Sequence, residues 1–365
     1  MNILTINIGS RSKKYSLFSE SGELLKNIEI EGVAENSFQK FLKEAKADAK
    51  SLKIGFRIVA PGKIFTENKS IDANYLKKLA EASKISPLHI DPVLKEIENI
   101  KKKYPKLGIY AISDSSFHKT IPQSAKVYAI PRQLAEKYEI ERQGYHGLSI
   151  QSVLSKIDDR FGGIPEKLIV CHLGGGSSVT AVLNGRSLDT SMGWTPIEGV
   201  PMAERSGSID PGVLSFICGK LKLSGAKLGN LLETRCGLEA ISGVDKGDIR
   251  ILIENENRDD EVGQRARLAL EVYIHSVRKE IGRMIAVLGG CNALVLTGAV
   301  GERSPIIRHK LIQNLGFLNI YLHEDNNWAA AEVQDIALLG SPIDKSIIVI
   351  KSDEAREMFN TLSSM

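Results

Sequence analysis

Residues 168–183, Leu-Ile-Val-Cys-His-Leu-Gly-Gly-Gly-Ser-Ser-Val-Thr-Ala-Val-Leu, constrain the fold more than any other stretch of the chain. A short β-branched run closes at His172 and three glycines follow. Two serines then lead into a second apolar run, Val179 to Leu183, which ends before Asn184-Gly185. That order predicts a hairpin of strand, glycine turn and strand. A glycine turn with hydroxyls exposes backbone N–H groups without a Cβ in the way, which suits phosphate oxygens. It is no Walker loop, because no Gly-Lys-Ser/Thr follows and the next element is a strand. Taken alone, an ordinary tight turn explains it equally well.

The N-terminus carries a second unit of the same kind. Asn2 to Asn7 reads as a strand, Gly9-Ser10-Arg11-Ser12 as a turn, and Lys13 to Phe18 as a strand, with Gly22 opening the next hairpin. Two phosphate-facing hairpins, one per domain, suggest a nucleotide clamped between two related α/β halves. No other internal repeat is visible, and identity between the units is too low to establish duplication. A length of 365 residues favours two domains, each able to bury a core.

The charge balance points away from nucleic acid. The 48 basic and 44 acidic residues leave a formal net charge of +4, and no basic stripe is interleaved with aromatics. Lys101-Lys102-Lys103 reads as a solvated helix end before Pro105. The four cysteines, 171, 218, 236 and 291, show no metal-ligand spacing and read as free thiols of a reducing, cytoplasmic setting. The chain starts directly with a strand, so no signal peptide is expected. Residues 284–301 carry no charge, but Gly289-Gly290, Asn292 and Gly298 break the run, so a helix end, a turn and a buried strand fit better than a membrane span.

Between the hairpins, Asn36 to Ala47 has helical character and Lys53 to Val59 reads as a strand containing Arg57. That arginine is either a snorkelling edge residue or an anion clamp held at a strand tip. Asp72 to Ser83 and His89 to Lys103 read as helices, and Leu107 to Ile112 as a strand followed by Asp114. An acid past the C-terminal end of such a strand is placed for catalysis or metal binding, though a turn cap would also explain it. His146 lies between Gly144-Tyr145 and Gly147, before a helix starting near Ser149. The stretch from Thr190 to Pro211, punctuated by glycine and proline, reads as a functional loop with Arg205 as its notable residue. Helices are expected over Pro211–Leu221, Gly225–Arg235 and Asp260–Leu288, with Asp248-Ile249-Arg250 at a turn. Leu294 onward reads as a buried strand feeding a glycine-rich turn, Gly298 to Glu302, and then a helix near Pro305. Ile347 to Ile350 is the last strand, and Ser352-Asp353-Glu354 opens a C-terminal helix, where capping alone could explain Glu354. Two phosphate turns, two arginines, acids near strand ends and a histidine bracketed by glycines together fit phosphoryl transfer, which depends on charge neutralisation and positioning.

Ordered motifs along nearly the whole chain resemble the acetokinase family, within the sugar kinase–Hsp70–actin superfamily. They are Asn7-Ile8-Gly9-Ser10, Ser12-Lys13-Lys14-Tyr15, Pro87-Leu88-His89, Asp114-Ser115-Ser116-Phe117-His118 and Gly144-Tyr145-His146-Gly147. Further along come Cys171-His172-Leu173-Gly174, Gly207-Ser208-Ile209-Asp210-Pro211 and Asp353-Glu354. The resemblance implies two actin-like, ribonuclease H-like α/β domains around a nucleotide cleft. These would be 1–114, joined by the C-terminal helix 355–365, and 115–354. It implies a phosphotransferase with a carboxyl acceptor, making acetyl phosphate reversibly from acetate and ATP by direct in-line transfer. A propionate or butyrate kinase and a catalytically silent nucleotide-binding protein are the alternatives.

The same resemblance implies roles residue by residue. Asn7 and Glu354 would position Mg²⁺ (or Mn²⁺) through water, and Ser10, Ser12 and Lys14 would face the phosphates. Arg57 would hold the substrate carboxylate, with Val59, Leu88, Tyr145 and Pro196 around its methyl group. Asp114 would be the essential acid, while His146 and Arg205 would stabilise the phosphoryl group in flight. His172, Leu173, Gly174, Gly175 and Gly176 would bind ATP, together with Asp248, Ile249 and Arg250 and with Ala299, Val300, Gly301, Glu302 and Arg303. A homodimer without membrane or nucleic-acid partners is also implied. The departures cluster on the nucleotide side: the family's usual Gly-Asn-Gly is Gly174-Gly175-Gly176, and its Gly-Ile-Gly-Glu-Asn is Ala299-Val300-Gly301-Glu302-Arg303.

Overall fold

Strand pairing divides the molecule into two sheets of the same plan. The computed structural model describes residues 1–9, 12–31, 37–332, 334–340 and 346–365. They form two compact units: Met1–Ser116 with Arg132–Ile140 and Asp353–Met365, and Phe117–Pro131 with Glu141–Ser352. Segment 132–140, expected from sequence in the second domain, groups with the first unit. One reason is local: Glu139 accepts a hydrogen bond from the Lys63 backbone N–H at 3.0 Å.

In the first unit the strands are β1 (Asn2–Ile8), β2 (Ser12–Phe18), β3 (Leu24–Glu31), β4 (Leu52–Ile58), β5 (Lys69–Ser70) and β6 (Ile109–Ser113). Their order is β3-β2-β1-β4-β6-β5. β1 to β3 form an antiparallel meander, β4 and β6 add parallel to β1, and β5 closes the edge antiparallel. The helices Ala73–Ser83 and Pro87–Lys103 belong to this unit. The second of them starts two residues earlier than its periodicity suggests, because Pro87 at the first helical turn sacrifices no intrahelical hydrogen bond. The helix Glu354–Ser364 packs against β1, β4 and β6. Gly55 makes that packing possible, since a Cβ there would stand 2.9 Å from Leu362 Cδ2.

The second unit repeats the plan with β7 (Lys167–Leu173), β8 (Ser177–Leu183), β9 (Arg186–Thr190), β10 (Ala293–Thr297), β11 (Ile336–Leu338) and β12 (Ser346–Ile350). Their order is β11-β12-β10-β7-β8-β9, again a meander, two parallel additions and an antiparallel edge. All five residues of β10 are buried, as a parallel strand covered on both faces requires. The helix Glu261–Leu288 lines one face of this sheet with Ala266, Leu270, Tyr273, Val277 and Met284, all buried. It stops at Gly289, whose φ of 64° is a left-handed cap. Among the described residues no helix is long and apolar enough to cross a membrane.

Two expected turns are helices instead. Asp248 is the N-cap of a helix, Ile249–Asn255, and accepts the Arg250 N–H. Gly298–Arg303 is a short helix directly after β10, its last carbonyls held by a buried arginine described below.

Candidate active site

Each unit carries its own polar cluster, built at the ends of its strands. In the first unit, β4 and β6 are parallel neighbours with Arg57 opposite Ile112 and Ile58 opposite Ser113, so Arg57 and Asp114 leave the sheet side by side. The Arg57 Nε donates to Asp114 Oδ1 at 3.0 Å and Nη2 to Asp114 Oδ2 at 2.9 Å, a bidentate fork. Its Nη1 donates to Glu354 Oε2 at 2.9 Å and to Asn7 Oδ1 at 3.4 Å. The Asn7 amide in turn donates to the same Glu354 oxygen at 2.7 Å. Burial disfavours the Arg57 charge, but the Asp114 and Glu354 carboxylates outweigh it, and the guanidinium pKa is raised. Asp114 is fully buried, whereas Arg57 and Glu354 keep 15% and 18% exposure, so the cluster has one sealed and one open side.

Of the other first-unit candidates, Ser12 donates to Glu29 at 2.7 Å, and the exposed Lys14 lies 3.6 Å from the same carboxylate. Ser10 lies outside the described residues. Val59 and Leu88 are half-buried, beyond the end of β4 and in the first turn of the helix Pro87–Lys103 respectively.

The second unit's cluster is centred on Gly176. A Cβ on that residue would stand 3.1 Å from His146 Nε2 and 3.5 Å from Arg205 Nη1, so the glycine lets two donor side chains approach one turn. His146 occupies the left-handed region at φ 62°, which turns the chain into the helix Gly147–Phe161. Its Nδ1 is paired with Ser178 Oγ at 2.9 Å, and its ring stacks on His172 with centroids 4.1 Å apart. The His172 Nδ1 is paired with Ser149 Oγ at 2.8 Å. A Cβ on Gly175 would meet nothing within 4 Å, so the tip of the glycine turn faces open space. Leu173 and Gly174 lie at the closing end of β7, where the Gly174 N–H donates to the Gly176 carbonyl at 3.0 Å.

The backbone just before His146 is held by His118, a role that its place in a motif does not reveal. His118 Nε2 is 2.9 Å from the Tyr145 carbonyl and Nδ1 is 2.8 Å from Ser187 Oγ. A carbonyl only accepts, so Nε2 carries the proton and Nδ1 accepts from the hydroxyl. Gly144, at φ 72°, has no room for a Cβ, which would lie 2.6 Å from Thr190 Cγ2. The buried Tyr145 donates its hydroxyl to the Trp194 carbonyl at 2.6 Å, tying it to the segment that bears Pro196.

Arg205 sits on a loop held by backbone bonds. The Cys236, Leu238 and Glu239 N–H groups donate to the carbonyls of Glu204, Met202 and Ala203 at 2.9–3.0 Å. Gly237 permits this, since its Cβ would lie 2.1 Å from the Met202 carbonyl oxygen. The preceding segment is clamped by Arg142, which donates to Glu198 at 2.6 Å and to the carbonyls of Thr190, Ser191 and Met192. Tyr128 donates to the same Glu198 and accepts the Trp194 N–H at 3.0 Å.

The remaining nucleotide-side candidates divide. Asp248 is half-buried and chelated by the exposed Arg250, with Nη2 to Oδ2 at 2.6 Å, while Ile249 is buried. Ala299 and Arg303 are exposed on the helix Gly298–Arg303, Val300 is half-buried and Gly301 is buried. Glu302 turns inward, accepting from Gly298 N–H at 2.9 Å and Ser352 N–H at 3.1 Å. Arg308, fully buried, donates to the Gly301 and Glu302 carbonyls at 3.0 and 2.7 Å and to Asn327 Oδ1 at 2.8 Å, which holds the helix end in place.

The sequence profile of the acetokinase family matches residues 31–359. The chain belongs to the acetokinase family. It is 32% identical to an acetate kinase of Acetivibrio thermocellus over 404 aligned positions, covering the whole of both chains. Among solved structures it superposes on a propionate kinase from Francisella tularensis with a TM-score of 0.86 at 29% identity, covering 98% and 97% of the two chains. An acetate kinase from Entamoeba histolytica matches with the same TM-score of 0.86 at 28% identity, over 100% and 99%. The acetokinase fold thus accounts for the twin sheets.

Proposed function

We propose that this acetokinase transfers the γ-phosphoryl group of ATP reversibly to acetate, forming acetyl phosphate and ADP by direct in-line displacement. The observation that carries the reading is the Arg57–Asp114–Glu354–Asn7 cluster on a chain of this family. Acetate and the γ-phosphate are both anions, and two unit charges 4 Å apart repel by about 4 kcal/mol at an effective dielectric of about 20. The Arg57 and Arg205 guanidiniums are proposed to offset that repulsion, with Arg57 held in orientation by Asp114 through Nε and Nη2 and by Glu354 through Nη1.

Asp114 is the orienting group. A carboxylate nucleophile has no proton to lose, so a general base has nothing to do on acetate, and both Asp114 oxygens already face Arg57. On the nucleotide side, His146 and Arg205 supply donors for the phosphoryl oxygens, and Ser178 and the loop bonds keep them in place. Val59, Leu88, Tyr145 and Pro196 are the residues proposed to set acyl length.

The donor set fits a hard divalent cation. Glu354 offers carboxylate oxygens and Asn7 an amide oxygen, and among the described residues no three His, Cys, Asp or Glu side chains gather to enclose an ion. A cation would therefore keep most of its waters and arrive with the nucleotide, which is how Mg²⁺ behaves. Bound there, it supplies positive charge to the β- and γ-phosphates. A cytoplasmic homodimer belongs to the same proposal, and sedimentation equilibrium checks its stoichiometry.

Hydroxylamine trapping tests the activity. Purified protein with ATP, Mg²⁺ and acetate is expected to give acetyl hydroxamate, with kcat/KM falling from acetate to propionate to butyrate. Absence of hydroxamate with all three acids would overturn the kinase reading, and a preference for propionate would reassign the substrate.

A further inference from the structure

At the opposite end of the first sheet from Arg57 lies a cavity of about 780 Å³ that none of the roles above uses. It opens where β4 and β6 begin, five residues before Arg57 on β4 and so roughly 17 Å from it at about 3.3 Å per residue. Its floor is apolar, from Leu52, Leu107 and the ring of Tyr110. Its rim is cationic. Lys50 comes from the short 3-10 turn Ala49–Ser51 before β4, Lys53 from the start of β4, Lys103 from the end of the helix Pro87–Lys103, and Lys106 from the turn before β6.

The charge is not balanced locally. No acidic side chain lines the cavity, and among the described residues none of these four lysines is in an ion pair. Lys53 donates to the Leu362 carbonyl at 2.7 Å and stands 5.1 Å from the Tyr110 ring centroid, which fixes it over the floor. Lys103 stands 5.8 Å from the ring of Tyr104, another lining residue. The amino group of Met1, also at the rim, is already taken by Glu20 at 2.8 Å. Lysines at a helix C-terminus are ordinarily explained by the helix dipole. That explains Lys103, but not Lys50, Lys53 or Lys106, which belong to other elements.

We propose that this cavity binds a small organic anion that joins a phosphate, sulfonate or carboxylate to an aromatic body. The apolar floor takes the ring, and the rim lysines take the acidic group. Neither half suffices alone: free inorganic phosphate would leave the floor empty, and a neutral aromatic would leave the lysines unmatched.

The probes are the fluorescent anion 1-anilinonaphthalene-8-sulfonate and its uncharged counterpart N-phenyl-1-naphthylamine. Both are titrated into the full chain with Mg²⁺, acetate and AMP-PNP present to fill the catalytic site. The sulfonate is expected to bind saturably at one site, at least about tenfold more tightly than the neutral probe, because several lysines converge on its charge. Lys103→Glu and Lys106→Glu should each weaken it by about 3–10-fold while turnover stays unchanged. Equal binding of the two probes, no saturable binding, or unchanged binding in the Lys103→Glu/Lys106→Glu double variant would overturn the proposal. So would displacement of the sulfonate by AMP-PNP, which would put the probe at the nucleotide site.

Discussion

Arg57 donates to three side chains at once, and that geometry makes it hard to replace. A lysine carries the charge but not the fork, so Arg57→Lys cannot satisfy both Asp114 oxygens while reaching Glu354. The expected loss in kcat/KM for acetate is about 10²-fold or more, measured by the hydroxamate assay. Gly175 is the opposite case, because the space around it is open and its backbone is not in the left-handed region. Restoring the family's usual amide with Gly175→Asn should lower KM for ATP about fivefold, the value of one added hydrogen bond of about 1 kcal/mol, with the acetate KM unchanged. Both residues stood out in the sequence, but their surroundings did not. Arg57 and Asp114 are 57 positions apart, and only the parallel pairing of β4 with β6 makes them neighbours. The supporting hydroxyls of Ser149 and Ser178 were illegible for a similar reason, since serines are common and nothing local marks which ones face a histidine.

Among the elements, the clamp on segment 190–198 invites a direct test. Glu198 receives both Arg142 and Tyr128, so Glu198→Ala leaves a mostly buried guanidinium without its carboxylate. Stability should drop by about 1–3 kcal/mol, read by urea denaturation. Because the clamp holds the Trp194–Pro196 segment, KM for acetate should rise while KM for ATP holds. The C-terminal helix offers a pH test. Burial raises the Glu357 pKa above the ordinary glutamate range, with Asp353 adding to the shift and Asn360 opposing it. The folded state therefore holds this proton longer than the unfolded state, so its contribution is full below the unfolded value and fades as pH rises through the folded one. Glu357→Gln should remove that slope, making the variant's advantage in Tm grow as pH rises above the unfolded glutamate value of about 4.3. Most elements could be read from periodicity, and the misread ones are instructive. The six-residue helix Gly298–Arg303 has too few turns to show a period, and its end is held by Arg308, a tertiary contact absent from local sequence.

On the scale of the whole molecule, the two six-stranded sheets share one order of strands and one set of directions. In each sheet a glycine directly follows the first strand of the meander, Gly9 after β1 and Gly174 after β7. That correspondence was visible in the sequence only as two short motifs, because strand order depends on hydrogen bonds between distant segments. Each unit has its own apolar core, so ligand effects on stability can be apportioned. MgATP at 100 times its Kd should raise the unfolding free energy by about 2.7 kcal/mol, and Arg205→Ala should reduce that gain at the same nucleotide concentration.

The helix Glu354–Ser364 belongs to the first unit, yet Glu354 lies 297 positions after Arg57. On the ribosome, the sheet that emerges first therefore waits, with the surface meant for Phe359 and Leu362 uncovered, until the second unit has been made. Arg57 and Asp114 spend that interval without Glu354. The unit translated first is the one finished last, and a chain released early would carry a complete set of first-sheet strands but no complete Arg57–Asp114–Glu354–Asn7 cluster.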